Sequence, residues 1–145
     1  MAFVFRFDRM MKINESEKKV LERQYNEVYA LLEEQGKKLI DLMQRKEKLQ
    51  EQFETKKRQR VRVADVIDQT FLLQKIGHHI IEEQHRYNQM RVRVEQFHQK
   101  LMEKSIELKK FEKLKSIQQD NYAQLEKQKE NKVMDEKAAI NYFRQ

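Results

Sequence analysis

The stretch 87-YNQMRVRVEQFHQKLMEKSIELKKF-111 carries apolar side chains at Tyr87, Met90, Val94, Phe97, Leu101, Leu108 and Phe111, with Lys104 in the one gap. The steps between these positions alternate three and four residues without interruption. A mean step of 3.5 holds a narrow apolar seam on one side of an α-helix, and a helix patterned in this way supercoils around a partner helix.

The same phase extends in both directions. Upstream it runs through Val66, Gln69, Leu73, Ile76, Ile80 and Glu83, and downstream through Lys115, Gln118, Tyr122, Leu125 and Lys129. Thirteen of the nineteen seam positions are apolar. An earlier run starts at Leu21 and passes through Tyr25, Val28, Leu32, Gln35, Leu39, Leu42, Lys46, Leu49 and Phe53, eight of ten being apolar. Traced backward, its phase lands on Lys18, Asn14, Met11 and Phe7.

Composition agrees with two long helices. The 145 residues include no proline and two glycines, where average usage supplies roughly seven and ten. A compact globule needs frequent turns, and turns draw on those residues. With 38% charged and 39% hydrophobic residues, there is apolar surface for a long seam but not for a thick core. The absence of cysteine excludes disulfides and thiolate metal sites and fits a reducing compartment. MAFVFRFDRMMKINESEKK is too polar for a signal peptide, and no run of 18 apolar residues offers a membrane span. The expected location is cytoplasmic.

Between the two runs lies 56-KKRQRVR-62, with five basic residues in seven. Like charges packed this closely oppose a continuous helix, and Asp65 suits the positive end of a new one. The expected architecture is all-α: an antiparallel two-helix coiled-coil hairpin with a longer C-terminal helix, built as a single rod. Helix 1 covers about 5–56, the basic turn about 57–63 and helix 2 about 64–140. One uninterrupted helix with a basic patch is the alternative. In an antiparallel pair the numbers of facing seam residues add to a constant, and the sums 122 and 115 both fit. The first sets Lys18 against Lys104, a polar layer that has to splay or snorkel. In either register helix 1 runs out opposite residues 108–115, while helix 2 continues for roughly thirty more.

Apolar residues outside the seam mark candidate surfaces. Near the turn, Ile67 and Phe71 fall on one stripe with Leu72 beside them, either as a broadened seam or as an exposed patch for a partner. Beyond helix 1, Phe111, Leu114, Ile117, Tyr122, Leu125, Val133, Met134, Ile140 and Phe143 have little or no helix to cover them. An amphipathic segment of this kind docks into a groove on another protein.

Other chemistry is poorly supported. The pairs Glu82/His85 and Glu95/His98 resemble di-iron spacing, but both lie on one helix about 20 Å apart. His78, Glu82 and His85 lack a fourth ligand and an outer shell for zinc. No phosphate loop and no nucleophile with a base occurs, so no enzyme and no cofactor are expected. KKRQRVR lacks interleaved aromatics or a nucleic-acid motif, and a solvated turn is the better reading. Glu103, Glu107, Glu112, Glu126 and Glu130 spoil a membrane-surface face in the C-terminal half.

Four segments, MAFVFRFDRMMKI at the start, DQTFLLQKI around Phe71, KKFEKLK at 109–115 and KVMDEKAAINYF at 132–143, together resemble the flagellar export protein FliJ family over nearly the whole chain. The basic turn is not part of that resemblance. The resemblance implies an antiparallel coiled coil similar to the central stalk of rotary ATPases, acting in flagellar type III protein export. It implies that the end carrying both termini binds the export ATPase hexamer, that the turn end meets the export-gate membrane protein, and that export chaperones are escorted. On this basis Phe7, Phe111, Leu114, Met134, Asp135 and Phe143 would serve the ATPase, and Ile67, Phe71 and Leu72 the gate. No nucleic acid and no direct membrane insertion are implied, and membrane association is peripheral, through the export apparatus. The alternatives are the equivalent stalk of a virulence injectisome and a generic scaffolding coiled coil.

Overall fold

The computed structural model describes residues 2–144, and these contain two α-helices and no strand. Helix α1 is Asp8–Lys57, 50 residues, and α2 is Val63–Arg144, 82 residues. The architecture is the all-α hairpin that the seam predicts, with the longer second helix. Both helices are rich in Leu, Glu, Lys and Gln, residues that lose little rotamer freedom in a helix. No described residue has a positive φ.

The chain forms two compact units, one of Leu21–Leu101 and one of Met1–Val20 with Met102–Gln145. In the first, α1 and α2 turn back on each other through residues 58–62. The Gln59 amide donates to the Lys56 carbonyl at 3.0 Å. The Arg62 carbonyl accepts from the Asp65 and Val66 amides at 3.1 and 3.2 Å, which starts α2. Asp65 lies in that first turn, where a carboxylate complements the helix dipole. Every seam position of this unit named from the sequence is buried or half-buried.

The middle of its seam is polar. Gln35 and Glu83 are only 6% and 8% exposed. The Gln35 amide donates to the Glu83 carboxylate and to the Glu83 carbonyl oxygen, the latter at 3.2 Å. Arg86 Nη1 and His79 Nε2 lie 3.2 and 3.6 Å from Glu83 Oε1. The bond from Gln35 holds the Glu83 carboxyl below its ordinary value, helped by the charges of Arg86, His79 and Lys38 and opposed by desolvation. A satisfied polar layer of this kind fixes helix register, because sliding would leave both groups buried without partners.

The register sums in this unit are 118 for Gln35 with Glu83 and 123 for Tyr25 with His98, whose rings lie 5.6 Å apart. A Cβ on Gly36 would lie 3.5 Å from the Tyr87 ring, again at 123. A sum of 115 would set Gly36 level with residue 79, about 12 Å along the axis from Tyr87, so that alternative is excluded here. The two contacts at 123 sit beside the sum of 122, and the Gln35 side chain reaches Glu83 between the two registers.

In the other unit Lys104 meets Asn14 Oδ1 at 3.2 Å, the Glu17 carboxylate, and Glu107 Oε2 at 3.5 Å. The polar layer expected between Lys18 and Lys104 is thus resolved for Lys104 by turning it to neighbouring acceptors. Its bond to Glu17 raises the ammonium above its ordinary value, against some desolvation.

Candidate functional site

The terminal unit departs from a plain helical pair at its first residues. Phe3, Phe5 and Phe7 alternate with Val4 and Arg6, the period of an extended chain rather than of a helix. Residues 2–5 lie outside any helix or strand, residues 6 and 7 form a turn, and α1 starts at Asp8. Phe5 is 5% exposed and forms a buried cluster with Met11 and Leu108, against which Phe3, Phe7 and Phe111 pack. Phe7 lies 6.4 Å from Phe111 between ring centroids, and Phe3 lies 5.6 Å from Tyr122. Asp8 Oδ1 lies 3.8 Å from Lys115 Nζ. Desolvation of Tyr122, with the nearby Glu126 carboxylate, raises its phenol above the ordinary value.

This aromatic strap changes the extent of the uncovered helix. The α1 helix does end opposite the 108–115 region, but the strap continues the cover to Tyr122. Leu125 is already exposed, and every described residue from 127 to 144 is exposed. The uncovered part of α2 is therefore about twenty residues rather than thirty. The strap was legible as a strict alternation of phenylalanines, a signal that the seam extrapolation through Phe7 passed over.

The residues singled out from the sequence in this unit fall into two groups. Phe7 and Phe111 are half-buried against each other, so they shape the base of the surface more than they offer it. Leu114, Met134, Asp135 and Phe143 are exposed. Phe143 is 86% exposed, and Tyr142, which the sequence reading passed over, packs edge-on to it at 6.0 Å. Val133 and Ile140 are exposed as well. Lys127, Lys129, Glu130, Lys132, Asp135, Glu136 and Lys137 share the segment, giving both signs of charge around apolar anchors, as in helix-in-groove recognition.

In the Leu21–Leu101 unit, Ile67 and Phe71 are exposed one helical turn apart, Phe71 at 68%. Leu72 leans further toward the hairpin at 40%. Val63, one turn before Ile67, is exposed also and extends the stripe to three members. Lys56, Gln59, Arg60, Asp65, Asp68, Gln69 and Leu72 border a cleft beside the turn with Phe53 at its floor.

The histidine pairs hold no metal-ligand geometry. His78 Nε2 lies 3.2 Å from Glu82 Oε1 as an exposed pair within one helix. Among the described residues no group of three or more His, Asp and Glu side chains converges as a cation site. Among them, too, no helix is long and apolar enough to cross a membrane.

Comparison with known proteins fits this arrangement. A family model described as "Flagellar FliJ protein" matches residues 3–145. The chain is 29% identical over 136 residues to the Flagellar FliJ protein of Bacillus subtilis (strain 168), covering 94% of this chain and 92% of that one. No solved structure matches. With the family pattern spanning all but the first two residues, the chain belongs to the flagellar FliJ protein family.

Proposed function

We propose that the protein is a non-enzymatic coupling component of the flagellar type III export apparatus, working in the cytoplasm. Its terminal unit binds the export ATPase hexamer, and its Leu21–Leu101 unit contacts the export gate through Ile67, Phe71 and Leu72. Export chaperones are further partners. The observation that carries this reading is the uncovered amphipathic end of α2, residues 127–144, in a chain of a flagellar family. A helix that keeps its periodic structure while exposing Val133, Met134, Ile140 and Phe143 is suited to a groove on another protein. Leu114, Met134, Asp135 and Phe143 supply the contacts, with Phe7 and Phe111 holding the base of the surface in place. The flagellar family favours this system over an injectisome.

The test is the ATP hydrolysis rate of the cognate export ATPase with added protein. Full-length protein is expected to raise the rate. A chain ending at residue 126 is expected to lose the effect while keeping its helical circular dichroism per residue. Equal stimulation by the shortened chain, or none by the full one, would remove the proposal.

A further inference from the structure

The basic turn has no role in the function proposed above. Lys56, Lys57, Arg58, Arg60 and Arg62 are all exposed. Among the described residues none of the five forms an ion pair. Lys56 and Lys57 occupy the last turn of α1, where cations complement the helix dipole. That explanation stops there. Arg58 and Arg60 lie outside either helix, and Arg62 sits at the positive end of α2, where a cation is unfavourable.

Immediately after these cations, Val63, Ile67 and Phe71 recur every fourth residue and are 76%, 64% and 68% exposed. At 100° per residue they form one stripe of about 80° on the first turns of α2. Asp65 lies about 160° from the middle of that stripe, and Asp68 about 100°. The acidic groups therefore leave the apolar face clear.

We propose that residues 56–71 form a peripheral docking surface for an anionic lipid bilayer. The five cations meet the headgroup phosphates, and Val63, Ile67 and Phe71 enter the boundary between headgroups and acyl chains. A polybasic cluster and a short apolar face are the two signals that together give stable attachment without a span. The apolar stripe decides between polyanions: a nucleic-acid backbone would use the cations and leave the three apolar side chains in water. The acidic residues that spoil a membrane face in the C-terminal half have no counterpart on this stripe.

The test is sedimentation with vesicles of pure phosphatidylcholine or of phosphatidylcholine with about 30% phosphatidylglycerol, at about 0.1 M salt. The protein is expected to bind the anionic vesicles about tenfold or more tightly than the neutral ones, and to be released by high salt. Changing the five cations to Gln, or Val63, Ile67 and Phe71 to Ser, is expected to weaken binding about tenfold each. The chain has no tryptophan, so Phe71→Trp supplies a sole indole emitter, and its emission should shift to the blue on anionic vesicles. That readout uses an otherwise native chain and stands even where a multiple variant unfolds.

The vesicles contain no protein, so lipid binding is read apart from gate docking, with which it competes for Ile67 and Phe71. Leu72→Ala, off the stripe, is expected to leave vesicle binding unchanged. No sedimentation, an unshifted emission, or unchanged binding by the Ser variant would overturn the proposal. Duplex DNA bound more tightly than anionic vesicles, and through the cations alone, would overturn it in favour of a nucleic-acid arm.

Discussion

Three residues show how much a single side chain settles. Phe5 is nearly fully buried in a unit whose other core members are few, so its ring contributes about 2 kcal/mol by area removed from water. Phe5→Ala is expected to lower the stability of the terminal unit by about that amount, read as lost hydrogen-exchange protection in residues 2–20 and 106–122. Protection equal to the native chain would show that the strap is not anchored by this ring. Glu83 makes a different prediction, one of sign. Its carboxyl is held below the ordinary value of about 4.5 by the Gln35 bond, so the folded state binds its proton less readily than the unfolded state does. The contribution is present above that ordinary value and is lost as pH falls through the lowered one. Between about pH 6 and 3 the native chain should lose more of its thermal midpoint than Glu83→Gln does; parallel curves would contradict this. Lys104 works in the opposite sense. Its raised value keeps its contribution whole below about 10.5 and removes it only at more alkaline pH.

At the scale of the elements, the seam was legible almost in full. The alternation from Leu21 to Phe53 and from Val66 to Tyr122 predicted which positions are covered, and each of them is. The alternation also continued to Leu125 and Lys129, which are exposed. Periodicity records which face of a helix is apolar but not whether anything lies against it. The 3.5 phase reaches Phe7 but not Phe3 and Phe5, because a period of two begins where the period of 3.5 ends. The glycines offer a test of the helices themselves. Gly36 and Gly77 lie inside helices with no positive φ. A Cβ at either would meet side-chain atoms at 3.5 and 3.6 Å, ordinary contact. Gly36→Ala and Gly77→Ala are each expected to stabilise the Leu21–Leu101 unit by about 0.5–1 kcal/mol in urea titrations. A loss of stability would mean that the backbone at these positions is approached more closely than the packing indicates.

For the molecule as a whole, the decisive feature is that the chain covers its own seam. A scaffolding coiled coil would cover it with a second copy. The expectation is therefore a monomeric mass by light scattering with about nine-tenths of the residues helical by circular dichroism; a stable dimer at micromolar concentration would contradict it. Of the residues proposed as sites, the exposure of Met134, Phe143, Ile67 and Phe71 was legible because they lie off the seam's phase or outrun its partner, whereas Asp135 came only from the family resemblance. Phe7 and Phe111 were visible too, but their burial against each other was not. By itself the sequence determined the all-α class and the apolar face of the helical segments, because a period of 3.5 sustained without proline has few other solutions, while it left a single unbroken helix open beside the hairpin. The tertiary structure decided the register, the Gln35–Glu83 layer, the partners of Lys104 and the aromatic strap that carries the cover to Tyr122. These depend on which side chains meet across a gap. Shifting one helix by a heptad keeps every apolar residue on the seam, and only the contacts across it, Tyr25 with His98 and Gly36 beside Tyr87, tell the choices apart.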